Sequence, residues 1–334
     1  MRTMVTFTED RAMRTLLIAV FCVLGLVLVR PAVGDDDSEI VQAIRVVAGR
    51  LVLAQLASGP LEGAWPDEEA YTGSIVAGLA GAYGVTADED ARVAAITGGN
   101  FILRAAAGNY YGDEAYALMC LSRMSEGDTT DMWRLALDEF YGNVSLRGTQ
   151  DYISQFERAD PSVAVFYLAH HAVAAFYVDA DDREIWRQGL IEGLVRVNDD
   201  LAEAPVMALG MAAWALASTG TLGDCPLDPD LEETSYWYGR TLRDLPGLLL
   251  THRIPEGEFA GSFYWRFDHS SADLGGPPGG YTEELVSSAL GLAVVEGLQD
   301  DLEAGLAIRQ IRDLLVENVD VDGTVRQHVA YGGE

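Results

Sequence analysis

The chain has 334 residues, 49% of them hydrophobic, and a formal net charge of −30. That apolar fraction is ample for a buried core, so it excludes an intrinsically disordered chain despite the high charge. The negative charge repels nucleic acid, and no lysine or basic stripe offsets it, so a nucleic-acid partner is excluded as well.

The first 34 residues are typical of an export signal. Arg11 and Arg14 form a charged region, residues 16–29 are an unbroken apolar run, and the small residues Ala32 and Gly34 stand at −3 and −1 of a cleavage site. The apolar run is short for a membrane span. We therefore expect a signal peptide at 1–34 and export of residues 35–334 to the periplasm, the cell surface or the medium. The alternative is a retained N-terminal anchor, which would be the chain's membrane contact.

A repeated unit follows the signal. In each unit an acid-bearing loop precedes an Ala-rich apolar helix, an acidic turn and an amphipathic helix. A helix that is apolar nearly all round must be buried, whereas its amphipathic neighbour shows one face to water. We therefore predict inner helices that begin near Glu69, Asp113, Asp160, Glu203 and Tyr281. Outer helices are predicted at 38–57, 90–106, 130–141, 182–197, 241–252 and 301–318.

This alternation predicts an all-α fold, an α/α toroid in which an outer ring of helices surrounds an inner ring. The inner helices recur at spacings of 44, 47, 43 and 78 residues, so the last interval contains an inserted loop, placed at 224–280. Residues 35–334 would form a single domain. About six outer and five inner helices are predicted, and we expect the last inner helix to be missing from the sequence. An open superhelical array is the alternative architecture.

Two segments carry a family resemblance. Residues 63–68 (GAWPDE) and 108–114 (GNYYGDE), each followed by an inner helix, resemble the α/α-toroid superfamily, which includes terpenoid cyclases, protein prenyltransferases and several polysaccharide lyases. The chain most resembles exported bacterial toroid proteins of unassigned activity. The resemblance covers residues 38–334 and implies the fold, but it implies no particular reaction because one fold hosts many chemistries.

The string Asp179-Ala180-Asp181-Asp182 has the D-x-D-D form of the acid motif in class II terpene cyclases. It falls in a predicted turn between an inner and an outer helix, where capping of the helix N-terminus explains it. The Gln-Trp repeats of those cyclases are missing. Terpenoid cyclase-like lipid chemistry is therefore the second alternative for function.

Metal ligands and cofactors are not evident. His170 and His171 are adjacent on a helix, so they point about 100° apart and cannot chelate one ion together. The many acidic loops leave calcium as a candidate ion, although no loop has the ligand spacing of an EF-hand.

The loops before the inner helices combine aromatic, amide and acidic side chains, which suits sugars because rings stack on CH faces while polar groups bind hydroxyls. The predicted substrate-binding residues are Trp65, Asp67, Tyr71, Asn109, Tyr110, Tyr111, Trp265, Tyr281 and Glu283. The predicted catalytic residues are Asp113, Glu114, Tyr264, Arg266, Asp268 and His269. The competing interpretation is that these loops only cap helices and seal the core.

Two chemistries remain open at these loops. A pair of carboxylates would serve a glycoside hydrolase. A tyrosine or histidine base facing Arg266 would serve a polysaccharide lyase. The leading hypothesis is an exported protein that binds or cleaves a carbohydrate polymer at the mouth of the ring, with the inserted loop as the first place to look. The alternative is a non-catalytic interaction module of the envelope or the cell surface. No oligomeric state is predicted.

Overall fold

The computed structural model describes residues 38–66, 71–125, 131–220, 226–271, 277–299 and 302–326. The predicted signal peptide, Asp67 and the last residues of the chain lie outside these ranges. Within them the fold is all-α, as predicted, with twelve α-helices and no β-strand. The helices are α1 (Ser38–Ala54), α2 (Thr72–Thr86), α3 (Glu89–Ala106), α4 (Gly112–Met124), α5 (Met132–Arg147), α6 (Thr149–Ile153), α7 (Pro161–Tyr177), α8 (Arg183–Val195), α9 (Pro205–Ser218), α10 (Leu245–Thr251), α11 (Thr282–Gln299) and α12 (Leu302–Glu317).

Aspartates at the helix starts fix several of these boundaries. Asp88 accepts a hydrogen bond from the N–H of Asp90 in the first turn of α3, and Asp131 and Asp160 cap α5 and α7 in the same way. Such caps satisfy N–H groups that have no partner inside the helix. Asp182 is different. It occupies the cap position of α8, but its side chain makes no hydrogen bond to that helix, and its carboxylate accepts one from the Thr149 hydroxyl instead. Its predicted capping role is therefore wrong.

Two kinds of helix alternate along the chain. In α9 every residue from Pro205 to Leu216 is buried, whereas α8 buries only one face, centred on Trp186 and Leu190. The buried helices α2, α4, α7, α9 and α11 pack on one another in chain order, and an amphipathic helix packs beside each of them. Hydrophobic burial therefore explains why the apolar and amphipathic patterns alternate in the sequence.

Glycines allow the buried helices to approach one another closely. A Cβ atom on Gly112 of α4 would lie 2.1 Å from the carbonyl oxygen of Tyr167 on α7. A Cβ on Gly210 of α9 would lie 2.4 Å from the carbonyl oxygen of Ser287 on α11. Both distances are well inside van der Waals contact, so these backbones pack at a separation that only glycine permits.

The first and last described helices also touch, because α12 packs against α1. Arg50 of α1 donates to the carboxylate of Asp322 at 3.1 Å and to the hydroxyl of Thr324 at 2.6 Å. Gly323, with a φ of +81°, lies against the carbonyl of Val46. No helix among the described residues combines the length and apolar character that crossing a membrane requires.

Candidate functional site

The loops that precede the buried helices lie next to one another. Asp113 at the start of α4 accepts the N–H of Ser74 in the first turn of α2. The N–H of Ala204, before α9, donates to the hydroxyl of Ser162 in α7. The N–H of Val206, at the start of α9, donates to the carbonyl of Trp265, in the segment before α11. The predicted site residues are therefore gathered where these helices begin, although they separate into distinct groups.

Asp113 and Glu114 face inward. Asp113 is 2% exposed, and its Oδ2 accepts the N–H and the hydroxyl of Ser74 at 3.2 and 3.3 Å, while its buried Oδ1 meets no donor. Burial, followed by the charge of Glu114, raises the pKa of Asp113 to about 7. Glu114 accepts the N–H of Tyr111 at 2.9 Å, which satisfies the backbone donor at the cap position of α4. A pKa near 7 suits acid–base chemistry, but both carboxyl groups are shielded from solvent.

A solvent-accessible cavity of about 550 Å³ lies beside this pair, and we call it the Tyr110 cavity. Its floor is aromatic, formed by Tyr110, Phe140 and Tyr152, and the Tyr152 hydroxyl donates to the Tyr110 carbonyl at 2.9 Å. Its rim is polar and exposed, formed by Asn109, Glu139, Asn143, Arg147 and Asp151.

The sequence prediction included only Asn109 and Tyr110 from this cavity. The rim residues on α5 were missed because a polar helix face has the pattern of any solvated surface. Their four-residue spacing, from Glu139 to Asn143 to Arg147, was the available signal, since it places them on one side of a helix.

The segment predicted as an inserted loop contains a second group, centred on two histidines. Nδ1 of His252 and Nε2 of His269 are 3.3 Å apart, and Nε2 of His252 hydrogen-bonds the hydroxyl of Tyr236 at 2.9 Å. Tyr264 stacks on His269 with ring centroids 3.8 Å apart. Burial, and to a lesser degree His269, lowers the pKa of His252 to about 4, and burial raises the pKa of Tyr236 to about 12.

The structure therefore brings together Tyr264 and His269, two of the predicted catalytic residues. It adds His252 and Tyr236, which sequence reasoning missed. His252 falls at the end of a predicted outer helix, where a histidine has no distinguishing pattern.

Arg266 and Asp268 shape the loop that carries His269. The guanidinium of Arg266 donates to the carbonyl of Asp199, and the Asp199 carboxylate accepts the N–H groups of Phe267 and Asp268, both at 2.9 Å. The exposed Asp268 carboxylate accepts the N–H of Ser270, and the hydroxyl and N–H of Ser270 lower its pKa. The guanidinium of Arg266, which a lyase would need, is thus hydrogen-bonded to a backbone carbonyl.

Other predicted residues lie in the core. Trp65 is fully buried and its indole N–H donates to the Leu51 carbonyl at 2.7 Å. Tyr71 and Tyr281 are buried, Tyr111 and Glu283 are half-buried, and Trp265 is half-buried against α9. Beside Glu283, the carboxyl of Glu284 is fully buried, and desolvation followed by the charge of Glu283 raises its pKa well above the usual range. Asp67 lies outside the described residues.

The D-x-D-D string lies in the turn between α7 and α8, as predicted. The Asp179 carboxylate is on the surface and pairs with Arg183 at 2.7 Å, while Asp182 is buried against Thr149. His170 and His171 are both packed in the core and have different partners, the Phe166 carbonyl and the Tyr141 hydroxyl. Burial lowers their pKa values to about 4 and about 3.

Among the residues that the structure describes, no three His, Cys, Asp or Glu side chains are grouped closely enough to hold a metal ion. Comparison of the chain with protein families, with characterised proteins and with solved structures found no match. The packed helix pairs are compatible with an all-helical toroid, and the function has to be argued from the site alone.

Proposed function

We propose that the chain is an exported α/α toroid, closed through the contact between α12 and α1, which binds a segment of a neutral polysaccharide in the Tyr110 cavity. The observation that supports this function is the composition of that cavity. An aromatic floor lies under a rim of two amides, two carboxylates and a guanidinium. The half-buried ring of Tyr152 offers a stacking surface for sugar CH groups, and the rim offers donors and acceptors for hydroxyls.

The size of the cavity fits this ligand class. Its volume of about 550 Å³ lies within the range of roughly 300–1,000 Å³ found for small-ligand pockets. Four of its five polar residues lie on helices α5 and α6, and its floor is packed against the core, so the binding surface is formed before a ligand arrives. Preformed sites bind more tightly because less ordering entropy is lost.

Charge favours a neutral sugar over an acidic one. The rim holds Glu139 and Asp151 against a single cation, Arg147, and the whole chain carries a net charge of −30. A uronate polymer would be repelled by this field. Glu139 and Asp151 are also the exposed carboxylates that hydrolysis would use, one as the acid and the other as the base or nucleophile.

Glycan binding to the full chain tests the proposal, with isothermal titration against neutral and uronate oligosaccharides. N143A and E139A should weaken neutral-glycan binding by roughly five- to tenfold, because each removes about one to two hydrogen bonds at the rim. Q188A, an exposed amide on α8, is the matched control and should bind as the wild type does. Reducing-end release that is lost in E139Q and D151N would place cleavage in the cavity.

Equal binding by N143A, E139A and the wild type would contradict the cavity as the site. Failure of every neutral and acidic glycan to bind would contradict the carbohydrate function itself. It would favour the alternative, a non-catalytic interaction module. Leu53 and Val321 support that alternative, because they are 89% and 101% exposed and line a common cavity beside α1.

A further inference from the structure

We propose that His252 and His269 form a Zn²⁺ site in the inserted loop, with Nδ1 of His252 and Nε2 of His269 as the two protein ligands and water in the remaining positions. This site is separate from the Tyr110 cavity and does not depend on the glycan proposal.

The separation of the two nitrogens fits shared coordination. Nδ1 of His252 and Nε2 of His269 are 3.3 Å apart. Two nitrogen ligands at roughly 2.0–2.1 Å from a tetrahedral zinc ion lie about 3.3–3.4 Å from each other. Hydrogen bonds from N–H groups to oxygen are most often shorter, at about 2.9–3.0 Å. The pair is therefore spaced as two ligands of one ion would be.

Aromatic stacking holds both imidazoles in place. Phe267 stacks on His252 with centroids 5.0 Å apart, and Tyr236 stacks in turn on Phe267 at 4.2 Å. Tyr264 stacks on His269, and the two imidazole planes are perpendicular. Fixed ligand orientation reduces the entropy lost when an ion binds.

The second nitrogen of His252 has the partner that a ligand histidine normally has. Metal-bound imidazoles donate their other ring N–H to an oxygen acceptor, which fixes the tautomer. Nε2 of His252 lies 2.9 Å from the Tyr236 hydroxyl oxygen, so with Nδ1 on the ion the Nε2–H would donate to Tyr236.

The backbone at His269 adds independent support. His269 has a φ of +64°, a left-handed conformation that is uncommon outside glycine, although asparagine, aspartate and histidine adopt it more often than other residues. The bonds from Asp199 to the N–H groups of Phe267 and Asp268 maintain it. Strained backbone that its surroundings maintain is typical of functional sites. Here the strain places the imidazole opposite His252.

Ion access and charge are favourable. His252 is 4% exposed, but His269 lies on the surface, so an ion can enter from solvent. The strongly negative chain concentrates cations at its surface. Imidazole suits zinc and copper better than calcium or magnesium, so the site differs in kind from a calcium loop.

The test is a Zn²⁺ titration of the chelator-treated full chain by calorimetry. One ion should bind per chain. H269N should weaken binding at least about tenfold, and Y236F should weaken it by a similar or smaller factor. Asparagine suits position 269 because it tolerates the left-handed conformation, so the loop is kept while the ligand nitrogen is lost. Y238F, at an exposed tyrosine two residues after Tyr236, is the matched control and should bind Zn²⁺ as the wild type does.

Saturable Zn²⁺ binding that is unchanged in H269N would overturn the proposal, as would the absence of saturable binding to the wild type. Circular dichroism of H269N and Y236F separates loss of the ligand from loss of the fold. Zinc should also raise the Tm of the wild type and not that of H269N, because a ligand that binds only the folded state stabilises it.

Discussion

At the scale of single residues, Asp113 couples stability to pH. An unfolded aspartate loses its proton near pH 3.8, whereas burial raises the pKa of Asp113 in the folded chain to about 7. Between these values the folded state binds one more proton than the unfolded state. The contribution of Asp113 to the free energy of unfolding therefore falls as pH rises from 4 to 7, by at most about 1.4 kcal/mol per pH unit.

D113N removes this titration while its side-chain oxygen can still accept from Ser74. We expect D113N to be more stable than the wild type above pH 7, by up to about 4 kcal/mol, with the difference disappearing near pH 4. Urea unfolding at pH values from 4 to 8 measures this difference in the free energy of unfolding. D90N, at an exposed aspartate of α3, is the control. A D113N effect that does not change with pH would show that Asp113 does not titrate in this window.

The sequence indicates which residue types gather near the helix starts, but not which way they face. Asp113 was predicted from its position in a loop, yet its carboxylate bonds Ser74, 39 residues earlier. His252 gains its proposed role only from His269, 17 residues later in the chain. Such directions depend on how helices and loops pack, and no local pattern encodes that.

At the scale of secondary structure, the contact between α9 and α11 depends on Gly210. G210A should destabilise the chain by about 1–3 kcal/mol, because the new methyl group would overlap the Ser287 backbone, which cannot rotate away as a side chain can. Thermal unfolding gives the value. G142A is the matched control, since a Cβ at Gly142 of α5 meets nothing within 4 Å.

G142A should be stabilising by about 0.5–1 kcal/mol, as expected for alanine in place of a helical glycine. Similar Tm changes in G210A and G142A would mean that α9 and α11 do not pack as closely as the structure indicates.

The helix positions could be predicted because a buried helix needs apolar residues on all sides, whereas a half-buried helix needs them on one side only. Apolar, Ala-rich stretches became the buried helices, and amphipathic stretches became their neighbours. The end of α5 was predicted at Tyr141, but the helix runs on to Arg147. Gly142 and Asn143 suggest a break, whereas the buried Val144 continues the packed face of Phe140 and holds the next turn. Tertiary contact overrode local propensity there.

At the scale of the whole molecule, Arg50 connects the two ends of the described fold. R50A should accelerate amide hydrogen exchange in both α1 and residues 319–326, because it removes bonds to Asp322 and Thr324. The loss of global stability should stay below about 1 kcal/mol, since the ion pair is solvent-exposed.

R45A, at an exposed arginine of the same helix, is the control and should leave exchange in residues 319–326 unchanged. Faster exchange confined to α1 in R50A would show that the two segments are not coupled.

The repeat period predicts that successive helix pairs stack, but it does not fix whether the last pair returns to the first. That outcome depends on a small rotation added at each pair, which residue patterns do not report. The contact of α12 with α1 could therefore not be predicted from the sequence and is seen only in the three-dimensional structure.

The contact between α1 and α12 also affects the order in which the chain can fold during its synthesis. Ser74 and Asp113 are 39 residues apart, whereas Arg50 and Asp322 are separated by 272. A ribosome adding roughly 5–20 residues per second needs roughly 15–50 seconds to span the longer interval. The early helix pairs can stack while the chain is still growing, but the seam between α1 and α12 cannot form until residues 322–324 have been synthesised. Until that moment the growing array has an open side at α1.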